Sequence, residues 1–205
     1  MNRTRCVSIF VLIVAALPCI AQQASLPSAP SAQPPVPTRL PYAPPTQTQR
    51  FSIYLRNTFG MYSIVESGIR SGIEQARDNP SQWPEGAEGY ADRFGSAMGQ
   101  IAVRGTTEYL LADAFREDLR IIPCDRPCSK SKVKRALEDT FTARKGADGH
   151  RAFSVARLLG PVAGGAIATN TWYPAANNSA GETARQIGMS YGFGFLRHYL
   201  HELTH

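Results

Sequence analysis

The stretch Ala156-Arg157-Leu158-Leu159-Gly160-Pro161-Val162-Ala163-Gly164-Gly165-Ala166-Ile167-Ala168 places small residues at every fourth position: Ala156, Gly160, Gly164 and Ala168. On a helix these four fall along one narrow stripe, where a neighbouring backbone can approach closely. The spacing recurs at Gly68, Gly72 and Ala76, at Ala87, Ala91, Gly95 and Gly99, and at Ala180, Ala184, Gly188 and Gly192. The pattern predicts an all-α fold, a single helical bundle of four to five helices. It describes packing and points to no chemistry.

Around that stretch the chain is unusually free of charge. No charged side chain occurs from Leu158 to Asn178, and none from Gln186 to Leu196. Two apolar helices joined through Asn170-Thr171-Trp172-Tyr173-Pro174 and Asn177-Asn178-Ser179 would form a Gly-rich C-terminal hairpin, with Gly160, Gly164, Gly188 and Gly192 at its crossing. Prolines and polar residues leave each run short of the roughly 20 residues that span a bilayer. A water-soluble bundle with peripheral membrane contact is the expectation, and insertion of the hairpin the alternative.

Upstream, Phe51, Tyr54, Leu55, Phe59, Tyr62, Ile69 and Ile73 keep helical spacing up to Asn79-Pro80. A second helix is predicted from Gly89 to Arg120, with Phe94, Met98, Ile101, Tyr109, Leu110 and Phe115 as its apolar side. A third runs from Ser131 to Arg144 with Val133, Leu137 and Phe141 on one face, before a Lys145-Gly146-Ala147-Asp148-Gly149 turn. The first two of these helices are amphipathic and belong at a water-facing surface or in a soluble bundle.

The first residues predict export. Arg3 and Arg5 precede an apolar run from Cys6 to Leu17, and Cys19-Ile20-Ala21 offers a cleavage site, so residues 1–21 are assigned as a signal peptide. Residues 22–49 read as a disordered Pro/Ser/Gln-rich tether, since eight of the fifteen prolines fall between Pro27 and Pro45. Residues 50–205 form the helical domain. The expected location is the periplasm or cell envelope.

Without residues 1–21 the chain has 20 basic and 16 acidic side chains, a formal charge of +4. That mild surplus calls for no nucleic-acid partner. Charge concentrates from Arg126 to Arg157, where nine Lys or Arg face three acids. Lys130, Lys132, Lys134 and Arg135 are the expected basic surface, with an anionic envelope surface or membrane as partner. The glycine-lined helix faces equally suit a homo-oligomer.

The run Arg135-Ala136-Leu137-Glu138-Asp139-Thr140-Phe141-Thr142-Ala143-Arg144, followed by the glycine-rich segment and by Trp172-Tyr173-Pro174, resembles an uncharacterised family of exported bacterial helical proteins with no assigned activity. The resemblance covers about Trp83 to Leu200. It implies one helical envelope domain behind a Pro-rich lead and brings no catalytic residue with it.

Three short motifs bear on chemistry. Cys124 and Cys128, in Pro123-Cys124-Asp125-Arg126-Pro127-Cys128, predict a small disulfide loop in an oxidising compartment, because no further His or Cys lies within twenty residues to complete a zinc site. His201-Glu202-Leu203-Thr204-His205 is a literal H-E-x-x-H, which on a helix grips zinc with two imidazoles beside a glutamate base. His198 offers a third imidazole. This is the alternative reading, a zinc-dependent hydrolase with His198, His201 and His205 as ligands and Glu202 as general base, although His205 would sit on a fraying end. Ser129-Lys130-Ser131-Lys132 matches S-x-x-K without its companion motifs. No catalytic residue and no cofactor is expected, and the principal reading is a non-enzymatic structural or interaction module.

Overall fold

A computed structural model describes residues 42–121 and 131–204. The signal peptide, most of the tether, Cys124, Cys128, Lys130 and His205 lie outside the described residues. Six helices and three short strands are described: α1 (Gln47–Phe59), α2 (Met61–Ala76), α3 (Gly86–Ala114), β1 (Glu117–Asp118), α4 (Lys132–Phe141), β2 (Thr142–Lys145), β3 (His150–Phe153), α5 (Val155–Thr171) and α6 (Ala180–Thr204). The protein is mostly helical, as its periodicity predicts, with a small sheet in addition.

The departures from expectation have local causes. Helix α1 begins three residues inside the predicted tether, because Thr46 and Gln49 close a reciprocal capping box. Residues 51–79 form two helices, broken at Gly60. A Cβ there would lie 2.2 Å from the carbonyl oxygen of Arg56, so a side chain cannot be accommodated at this junction. Helix α3 stops at Ala114, well before Arg120, and Arg116 turns the chain with a φ of 54° into β1.

Strands β1, β2 and β3 pair antiparallel in that order, Asp118 opposite Arg144 and Arg144 opposite Arg151. Helix α4 therefore ends at Phe141 rather than Arg144. The predicted turn after Lys145 is present, with Gly146 and Gly149 both at positive φ. Glu117 ties the sheet to the bundle: its buried carboxylate accepts from the Ser154 hydroxyl at 2.6 Å and from the amides of Val155 and Ala156 at 2.9 and 3.2 Å. Negative charge on the first amides of α5 suits the helix dipole as well as the orphan donors.

Helices α2, α3, α5 and α6 form an antiparallel bundle. Glu66 meets Arg104 and Arg70 meets Gln100, which sets α2 against α3. Tyr191 bonds to the Leu158 carbonyl and Thr183 to Thr169, which sets α6 against α5. The glycine stripe of α5 faces α3, its most extensive neighbour. A Cβ on Gly160 would lie 2.4 Å from the Glu108 side chain, and one on Gly164 2.9 Å from the Gln100 carbonyl. Contact with α6 falls instead to Gly165, opposite Ile187. Gly188 and Gly192 have nothing within 4 Å of that position, so the hairpin crossing does not use them.

The largest correction concerns which face is inside. Helix α2 buries Ser63, Glu66, Ser67, Arg70, Ser71 and Glu74, and exposes Met61, Ile64, Val65 and Ile69. Phe51, Leu55 and Phe59 of α1, Leu159, Val162 and Ile167 of α5, and Leu196, Leu200 and Leu203 of α6 are also exposed. Among the described residues the buried hydrophobic side chains are six alanines and Ile101. The bundle is polar within and apolar without.

Candidate functional site

The interior has two ends with different chemistry. At the end where α2 finishes and α6 begins, charges are matched. Arg185 reaches Glu74 with two bonds of 2.8 Å and Glu182 at 2.5 Å. These carboxylates outweigh the burial that would lower the arginine's pKa, which is raised. Gln186 bonds to Glu182 at 2.9 Å and receives Arg70 at 2.8 Å, while Gln100 accepts from Arg70 and donates to Gln186. Arg93 is satisfied by the carbonyls of Asn79, Pro80 and Pro84 and by Gln75.

At the opposite end lies a chamber of about 70 Å3 whose lining includes Tyr62, Glu66, Arg104, Glu108, Arg157 and Arg197. Arg104 is bidentate to Glu66 at 3.2 and 3.3 Å, with Glu108 at 4.0 Å. Among the described residues Arg157 bonds only to backbone, the carbonyls of Asp139, Thr142 and Leu119. Arg197 donates through one amino group to Asn57 and stacks on the Tyr62 ring at 5.3 Å. Among the described residues neither Arg157 nor Arg197 has a carboxylate within ion-pair distance.

Three guanidiniums thus face two carboxylates. Burial raises the pKa of Glu108 although Arg104, Arg157 and Arg197 pull against it. His198 also lines the chamber, and its buried Nδ1 has no hydrogen-bond partner among the described residues. Burial, then the charges of Arg157 and Arg197, push its pKa down to about 2, so the ring is neutral. Burial and Glu66 push the Tyr62 phenol up to about 12, leaving it protonated and donating to the Phe193 carbonyl at 2.7 Å.

The chamber adjoins a cleft of about 550 Å3, the two sharing Asn57, Tyr62, Leu119, Ile121 and Arg197 as lining. The cleft adds Ile53 and Leu200 as apolar wall and Arg56, Arg120 and His201 as polar wall, with no carboxylate among its described lining residues. Arg120 is held by Asp118 at 2.7 Å.

The predicted site residues are distributed as follows. Lys132 and Lys134 are exposed on α4 beside exposed Val133 and Leu137. Arg135 is not part of that surface, since its guanidinium turns inward to Glu202 at 2.5 Å. That pair occupies the carboxylate proposed as a zinc-site base. His198 lines the chamber and His201 the cleft, and among the described residues no group of three His, Cys, Asp or Glu is placed to hold a metal. The chamber is not legible in the sequence: Arg104, Glu108 and Arg197 look like ordinary surface charges of helices that carry several others, and only Arg157 stands out, as the single charge of α5.

No family model matches the chain, and neither a curated protein nor a solved structure matches it.

Proposed function

We propose that this protein is an exported, non-enzymatic interaction module of the cell envelope, working through contacts on its apolar exterior. The observation that carries this reading is the outward display of Met61, Ile64, Val65 and Ile69 on α2 and of Leu196, Leu200 and Leu203 on α6, while the charges of both helices point inward. Large exposed apolar surface on a folded domain marks a contact with a partner or with lipid. Helix α4 supports a membrane-facing role, because Lys132 and Lys134 flank exposed Val133 and Leu137, a pairing suited to anionic headgroups over acyl chains. No described helix is long and apolar enough to cross a membrane.

Envelope fractionation of the untagged protein tests the reading, with the membrane pellet washed in high salt and then alkaline carbonate while zinc is assayed. Recovery in the pellet, released by salt or by alkaline carbonate without detergent, is the expected result, and retention through carbonate would mean instead that the hairpin is inserted. A soluble monomer carrying stoichiometric zinc that is lost in His201→Ala would overturn it in favour of the hydrolase.

A further inference from the structure

We propose that the arginine chamber between α1, α2, α3, α5 and α6 binds an oxyanion group, phosphate or carboxylate in chemistry. The proposal goes beyond the interaction role above and does not depend on it. Arg104, Arg157 and Arg197 meet Glu66 and Glu108, and among the described residues neither Arg157 nor Arg197 has a carboxylate within ion-pair distance, Asp139 acting on Arg157 only from farther off. Uncompensated buried cations are costly unless an anion or a dense hydrogen-bond set answers them.

The donor inventory is equally uneven. Arg157 is satisfied by three carbonyls, which fixes its guanidinium in place. Arg197 uses only Nη2, on Asn57, and its Cζ lies over the Tyr62 ring 5.3 Å from the centroid, while Nε and Nη1 make no described hydrogen bond. His198, nine-tenths buried, adds an Nδ1 without a partner. Planar guanidiniums with donors to spare are common receptors for tetrahedral or planar oxyanions.

The space agrees. About 70 Å3 is room for several waters or for one compact oxyanion, since about 10–15 Å3 of such space already holds a water. The adjoining cleft of about 550 Å3 combines Ile53, Leu119, Ile121 and Leu200 with Arg56. It would admit either a hydrated free anion or the chain of an amphiphile whose head sits in the chamber.

The test is isothermal titration of the full mature chain with inorganic phosphate, and separately with octyl phosphate below its critical micelle concentration, against sodium chloride at matched ionic strength. One-to-one binding that chloride does not reproduce is expected, weakened about tenfold or more in Arg197→Gln and retained to within about threefold in Arg197→Lys. Equal affinity for the two phosphates assigns the chamber to a free anion, and preference for octyl phosphate assigns it to the head of an amphiphile. Heats no different from chloride for both compounds, or undiminished binding by Arg197→Gln, would overturn the proposal.

Discussion

The two ends of the bundle interior contain the same kinds of side chain and solve different problems. Where Glu74, Glu182 and Arg185 meet, both carboxylates are bonded to that one guanidinium, and Gln100 and Gln186 accept from Nη2 of Arg70. Where Arg104, Glu108, Arg157 and Arg197 meet, Arg104 is the one arginine of the three with carboxylates at ion-pair distance among the described residues, Glu66 and Glu108, and a cavity lies beside the other two. Matched charge closes one end of the bundle and surplus charge keeps the other open. A buried ion pair is weak evidence of stability, yet removing one member is expensive because the other stays behind. The two ends should therefore respond very differently to the same change.

Arg185→Met removes the cation from two carboxylates and should cost about 3–5 kcal/mol in urea unfolding. Arg197→Met, at the open end, leaves no stranded carboxylate and relieves repulsion with Arg104, so it should cost under about 1 kcal/mol. Equal losses in the two variants would erase the distinction between the ends.

Next in size is Gly164→Leu, which drives a side chain into the Gln100 carbonyl 2.9 Å away and should cost about 2–3 kcal/mol. Circular dichroism melts with an unchanged midpoint would show that α3 and α5 are not so closely crossed.

The chamber also predicts a pH dependence. His198 has a folded pKa of about 2, below its unfolded value, so the unfolded chain binds the extra proton throughout the interval between them. Its contribution is complete above the unfolded pKa near 6.5 and is lost as pH falls, by up to about 1.4 kcal/mol per pH unit. His198→Asn should flatten this part of the stability profile, measured by urea midpoints between pH 4 and 7. A slope unchanged by the substitution would place the titration elsewhere.

The smallest effect is expected at Gly188. With nothing within 4 Å, Gly188→Leu should leave the monomer unharmed or raise its stability by about 0.5–1 kcal/mol through helix propensity. Sedimentation of this variant sharpens the exterior reading: a shift to lower mass would mean that the Gly188 and Gly192 face mates with another copy.

Much of the helical content was legible because apolar spacing and turn residues report local geometry. The small-residue stripe of α5 was legible too, but it specifies how closely a neighbour approaches and not which neighbour, so Gly160 and Gly164 meet α3 where α6 was expected. The orientation of α2 was not legible. Periodicity separates its two faces, and the choice between them depends on Gln100, Arg104, Arg185 and Gln186, far away in sequence, whose charges and amides complement Glu66, Arg70 and Glu74. The three strands escaped for another reason: Glu117 and Asp118 read as helix-surface acids, and their value lies in Ser154 and Arg120, which they hold.

Glu117 also bears on whether the molecule can be divided. The first turn of α5 shares its cap between Ser154, which accepts from the Arg157 amide, and a residue 37 positions before it, so a fragment beginning at β3 would carry the whole C-terminal hairpin yet leave the Val155 and Ala156 amides without their carboxylate. The hairpin thus depends on the preceding chain for part of its cap, and a nick between Glu117 and Ser154 would leave two pieces joined by that carboxylate as well as by the packing of α5 on α3 and of α6 on α2.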